Sequence, residues 1–224
     1  KQIAIDGKCL RGVNPKLLGN KGLYLMNAFV CENRISIAQK VVQDKENEIK
    51  ALPQVIESID IKDAVVSIDA IGTQVDIVQL IVSKQGHYFL AVKENQKSLY
   101  EAIRSAFGRY KSKHSTETIE KDHGRIEKRI CRIMSANKLW DKTLLERWKG
   151  LKTIIEIESK VMTGSKETVS YRYYISDEEV LNSAYYYKLA RGHWGIENQL
   201  HWHLDVTFKE DSSRARKGFA PQNL

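Results

Sequence analysis

The sequence predicts an α/β fold: an antiparallel meander of three strands, then a layer of parallel strands with covering helices. Two observations carry this. Three apolar runs with strand character follow one another near the start, separated by short breaks. After them, short runs rich in β-branched residues alternate with stretches in helical spacing, the pattern of parallel strands joined by crossover helices.

In chain order, "KQIAIDGKCLRG" alternates apolar and polar residues and closes at Gly12. "GLYLMNAFVCEN" and "RISIAQKVV" are the second and third strands, turned by Glu32, Asn33 and Arg34. In "KENEIKALPQVIESID" the residues Ile49, Leu52, Val55, Ile56 and Ile59 fall at helical spacing, with Pro53 expected to kink or shorten the helix. "DAVVSIDAIG" has the composition of a buried strand closed by Gly72. "TQVDIVQLIVSKQG" reads as a helix capped by Thr73 and ended at Gly86. "HYFLAVKEN" is the next strand and "QKSLYEAIRSAFGRY" the next helix. From about Lys113 the texture changes to the strand-like segments "GRIEKRICRIMS", "LKTIIEIESKV" and "TVSYRYYIS". Helical spacing then resumes in "DEEVLNSAYYYKLARGHWGIENQLHWHL". The expected divisions are residues 1–112, a β-rich section 113–176 and a helical part 177–224, with no internal repeat or low-complexity linker.

At 224 residues and 42% hydrophobic, the chain can bury one good core. Lys and Arg number 36 against 28 Asp and Glu, and this formal net charge of +8 favours a polyanionic partner such as nucleic acid, although mild basicity also occurs in proteins that bind none. Cys9, Cys31 and Cys131 are odd in number, far apart and in no CxxC pair, which argues against a disulfide framework and a cysteine zinc site and fits a reducing cytosol. No run approaches the roughly 18 apolar residues of a membrane span, and "KQIAIDGKCL" is no signal peptide, so no membrane partner is expected. Starting without Met inside an apolar alternation and stopping at "APQNL", the chain reads as a fragment of a longer protein.

Strand alternation places Ile3 and Ile5 on one face and Ala4 and Asp6 on the other; Val66 and Ile68 likewise oppose Val65, Ser67 and Asp69. Each strand thus ends in an Asp embedded in apolar sequence, where a lone carboxylate is costly unless paired, hydrogen-bonded or metal-bound. On neighbouring parallel strands Asp6 and Asp69 would resist joint ionisation, and Mg²⁺ or Mn²⁺ would resolve the conflict. Read singly, Asp6 opens a turn and Asp69 caps the next helix. In the last helix, Leu189, His193, Ile196, Leu200 and Leu204 form a stripe with Glu197 on its margin, the position of a solvated glutamate or of a third ligand.

Five motifs in chain order, "IAIDGKCLRG", "VVSIDAIGTQ", "HYFLAVKENQ", "DHGRIEKR" and "RGHWGIENQLHWHLDVTFKED", together resemble bacterial insertion-sequence transposases of the DDE class, in the ISAs-type group that includes the H-repeat-associated proteins. The resemblance covers essentially all 224 residues. It implies an RNase-H-like core: a mixed sheet of three antiparallel strands extended by parallel ones and flanked by helices. Residues 113–176 would be an insertion before the last helix. It implies Asp6, Asp69 and Glu197 as the catalytic, metal-holding residues, two Mg²⁺ (or Mn²⁺) ions, and DNA strand cleavage and transfer. Implied partners are transposon-end and target DNA and a second copy in a synaptic homodimer, in the bacterial cytoplasm. Wider relatives carry an Arg four residues before the Glu and a Lys seven after; here those places hold His193 and Leu204, with Arg191 and Lys209 nearby. The candidate DNA contacts are Arg125, Arg191, His193, Asn198, His201 and Lys209, with Trp194 and Trp202 bracing the helix. A segment before the first Asp and a helix after "RARKGFAPQNL" are expected outside the chain.

Three alternatives remain open. His193, Glu197 and His201 at i, i+4 and i+8 form a zinc-compatible set, although not the HExxH spacing. Lys93, Lys97, Arg104, Arg109, Lys111, Lys113, Arg125, Lys128, Arg129, Arg132, Arg214, Arg216 and Lys217 suit a DNA-binding module without catalysis, including a decayed relative of the family. An RNase-H-like nuclease without strand transfer would carry the same acids.

Overall fold

The structure is a computed structural model that describes residues 1–10, 23–42, 48–122 and 124–213. The expected strand end at Gly12 and the basic residues Arg214, Arg216 and Lys217 lie outside these residues.

The meander is formed by β1 (Gln2–Leu10), β2 (Leu23–Val30) and β3 (Ile35–Val42), each antiparallel to the next. Arg34 adopts positive φ in the turn between β2 and β3. After α1 (Glu48–Ser58), β4 (Val65–Ile68) pairs parallel to β1. Pro53 lies inside α1 without ending it, the helix being held by buried Leu52, Val55 and Ile56. After α2 (Val75–Ser83), β5 (His87–Val92) pairs parallel to β4, and α3 (Lys97–Arg109) follows.

Two local expectations change. Thr73 does not cap α2: its hydroxyl donates to the Ala91 carbonyl at 2.6 Å, and Gln74 takes the cap position without a side-chain bond. The left-handed residue after α2 is Gln85 (φ 60°), not Gly86. Gly86 answers to space instead, since a Cβ there would lie 3.0 Å from the Ile61 carbonyl oxygen.

Residues 113–176 contribute β6 (His114–Asp122), β7 (Arg125–Ser135), β8 (Thr153–Thr163) and β9 (Lys166–Ser176), with a short α4 (Thr143–Arg147). These strands are antiparallel and continue the same sheet, because β9 pairs with β5. The described residues form one nine-stranded sheet in the order β3-β2-β1-β4-β5-β9-β8-β7-β6. The sequence reading missed β6 and α4.

One face of the central strands carries Ile3, Ile5, Val66, Ile68, Tyr88 and Leu90, all buried in a core with α1, α2 and α3. The opposite face is covered by α5 (Ser183–Gly195), a π-helical stretch Ile196–His201 and α6 (Trp202–Val206). Here Val65, Phe89, Ile157 and Tyr174 pack against Tyr186, Leu189 and Ala190.

Candidate active site

The last registered pair of β1 and β4 is Ile5 with Ile68, so Asp6, midway along β1, and Asp69, just past the end of β4, follow as neighbours on adjacent parallel strands. Contrary to the sequence expectation, Asp6 neither ends its strand nor opens a turn, because β1 runs on to Leu10 paired with β2. Strand spacing there is about 4.8 Å. Beyond β4 the chain turns sharply through Ala70–Gly72, and Asp69 caps this turn by accepting the Ile71 N–H at 3.0 Å. The turn needs Gly72, whose Cβ would stand 2.4 Å from Ile68 Cγ2. Asn95 after β5 ties it down by donating to the Ala70 carbonyl at 2.6 Å.

The even-numbered side chains of β1 meet the last helical run one after another. Gln2 donates to the Leu189 carbonyl at 2.8 Å and to Ser67 Oγ at 2.9 Å. Ala4 packs on Ile196. Asp6 Oδ2 lies 3.7 Å from His201 Nδ1. Lys8, 6% exposed, is paired with Asp205 at 2.7 Å and with Glu210. Gly192 lets the helix come this close: a Cβ there would fall 2.2 Å from Gln2 Oε1.

His193 is buried where α5 meets β4, its Nδ1 3.2 Å from Ser67 Oγ. Burial pushes its pKa down to about 4, against the opposing pull of Asp69, so the ring is neutral at pH 7. His201 is also pushed down to about 4, by burial and by the Lys8 charge, with Asp205 opposing. At neutral pH its approach to Asp6 is therefore not an ion pair.

The helix loosens at the candidate glutamate. In the π-helical stretch the Trp202 N–H donates to the Glu197 carbonyl five residues back. Such wide turns are frequent at functional positions. Glu197 is exposed on the wall of a cavity of about 1010 Å³, which Asp69, Lys93, Arg172, Trp194 and Asn198 also line. Asp6 lies one strand over, outside that lining.

Two of the three acids are thus brought together by strand register, and Glu197 shares a cavity with one of them. Among the described residues no three His, Cys, Asp or Glu side chains are gathered closely enough to hold a metal ion as they stand. The zinc alternative loses its ligands, because His193 turns toward β4 and His201 toward β1. The donor chemistry of the aspartate pair fits Mg²⁺ or Mn²⁺: hard carboxylate oxygens from adjoining rigid strands, beside a neutral His193 that adds no competing charge.

Of the expected DNA contacts, Arg125, Asn198 and Lys209 are exposed. Arg191 is 42% exposed and lies 3.7 Å from Glu120. His193 is buried, its ring held to Ser67 in the helix–sheet seam, and it also lines the cavity shared by Asp69 and Glu197. His201 is largely covered, its side chain 12% exposed. Trp202, expected to brace the helix, is half exposed instead. Trp194 does pack, beneath the guanidinium of Arg172 at 4.4 Å. The sequence reading did not single out Arg172; its only local signal is one cation in the aromatic run "SYRYYIS".

Comparison with known families matches the transposase DDE domain over residues 1–223. The putative transposase YncI of Escherichia coli O157:H7 is 37% identical over 98% of this chain and 58% of its own length. The H repeat-associated putative transposase YhhI of E. coli strain K12 is 35% identical over 98% of this chain and 60% of its own. The chain therefore spans about three-fifths of the curated relatives it matches. Among solved structures, the piggyBac transposase in a synaptic complex with hairpin DNA superposes with a TM-score of 0.53 over 97% of this chain and 42% of that one, at 10% identity, a likeness of fold. The mixed sheet is RNase-H-like, and the chain belongs to the transposase DDE domain family of bacterial insertion-sequence transposases.

Proposed function

We propose that the chain is the catalytic core of a transposase in which Asp6, Asp69 and Glu197 hold two Mg²⁺ or Mn²⁺ ions for DNA strand cleavage and transfer. The observation that carries this is the register of β1 and β4, which sets Asp6 on β1 beside Asp69 just past the end of β4, with Glu197 on the wall of the cavity that Asp69 lines. When bound, the metals lower the pKa of an attacking water or DNA 3′-hydroxyl and offset charge on the leaving oxygen.

The chain's own residues do the holding. Asp6 and Asp69 offer oxygens from strands that cannot shift without unpairing the sheet centre. Gln2, Ser67 and His193 fix the helix that carries Glu197, and the neutral His193 leaves the charge of Asp69 undiluted. The reading requires Glu197 to close on the aspartates when metal and DNA are present. Arg125, Asn198 and Lys209, all exposed, and Arg191 are the candidates to meet the DNA backbone. Transposon ends and target DNA are the partners, held by a homodimer in the bacterial cytoplasm, where Cys9, Cys31 and Cys131 stay reduced thiols.

Asp6→Asn, Asp69→Asn and Glu197→Gln should each abolish Mg²⁺-dependent DNA cleavage while leaving the fold and salt-sensitive DNA binding in place. Undiminished cleavage by the Asp69→Asn protein would refute the assignment.

A further inference from the structure

We propose that Arg172, held on the face of Trp194, grips a backbone phosphate of DNA entering the cavity. This rests on the reading of that cavity as the DNA-cleaving site. Three arginines surround the Trp194 ring, with guanidinium carbons 4.4 Å (Arg172), 5.4 Å (Arg191) and 6.0 Å (Arg129) from its centroid. Two of them are matched by carboxylates. Arg129 is bound to Glu120 at 2.8 Å and Glu127 at 2.6 Å, and Arg191 lies 3.7 Å from Glu120.

Arg172 differs. It forms no ion pair among the described residues, it is exposed, and it lines the same cavity as Asp69 and Glu197. Its place is fixed from both sides. Two residues on along β9, Tyr174 stacks on Phe89 of β5 at 4.7 Å, and Trp194 follows the pinned His193 in α5. A guanidinium resting on an indole has already given up part of its side-chain freedom, so less is lost when it binds. Its planar fork then suits two oxygens of one phosphate.

The cavity gives this cation a purpose. Carboxylates that hold metals repel a phosphodiester until the ions arrive, and a fixed cation on the facing wall offsets that repulsion. Four residues before the glutamate, on the helix itself, stands His193, buried and neutral, so it brings no charge to the cavity. The charge comes from β9 instead.

The test is binding of the full chain to a random-sequence duplex oligonucleotide, measured across a salt series without divalent metal. Arg172→Gln should lower the slope of log Kd against log salt by about one, the loss of one phosphate contact. Arg172→Lys should restore that slope, and Lys50→Gln, on the far helix α1, should leave it unchanged. A wild-type slope in Arg172→Gln, or an equal fall in Lys50→Gln, would overturn the proposal. Because no metal is present, these outcomes are independent of whether Asp69→Asn abolishes cleavage.

Discussion

The two faces of strands β1 and β4 differ in kind. One presents Ile3, Ile5, Val66 and Ile68 to a purely apolar core under α1 and α2. The other is mixed: Gln2, Ser67 and Lys8 meet the last helical segments through hydrogen bonds and charge pairs, Asp6 approaches His201, and Ala4 and Val65 pack against apolar residues of the helix. Burying polar groups stabilises far less than burying the same area of hydrocarbon, because each must first shed water. The apolar face therefore holds the sheet together, and the polar face sets where the helix with Glu197 sits.

The largest effect should come from the apolar face. Ile5→Ala should destabilise by about 2–5 kcal/mol in chemical denaturation, yet leave the pH dependence of stability unchanged. A smaller loss accompanied by a changed pH dependence would mean that the two faces are not separate.

Acid should act on the polar face. His193 has a folded pKa pushed down to about 4 from an ordinary 6.5, so between those values the unfolded chain takes up a proton that the folded chain refuses. Stability is then full above pH 6.5 and falls as pH drops toward 4, by about 1.4 kcal/mol per pH unit for this histidine. His201 adds to the same window. Denaturation at pH 7 and pH 5 should show the loss in the native chain and a smaller one in His193→Gln.

Gly192→Ala should cost about 1–3 kcal/mol, an overpacking effect, because the new Cβ falls on Gln2 Oε1. Adding Gln2→Ala should recover part of that loss and give a measurable coupling between the two sites. Strictly additive effects would show that the helix does not rest on Gln2.

These contrasts also explain what the sequence made legible. Alternation in "IAIDGK" and "VVSIDA" separated the two faces and set both aspartates on the same one, because a strand offers its side chains no other choice. β6 was illegible because among the described residues it is the edge strand beside β7, and "HSTETIEKD" carries no apolar alternation. The π-helical stretch left a faint trace: Ile196, Leu200 and Leu204 step by four twice, longer than the 3.6 residues of an α-turn. Arg172 was beyond reach, since its meaning comes from Trp194, which only the tertiary fold brings beneath it.

The central claim is that two aspartates on the strands and a glutamate on the last helical run hold metal together. A crystal of the full chain soaked in Mn²⁺ tests it most directly, through the anomalous signal. The account predicts Mn²⁺ bound between Asp6 and Asp69, with Glu197 drawn in to coordinate. Mn²⁺ bound elsewhere, or at the aspartates with Glu197 still turned to solvent, would contradict it.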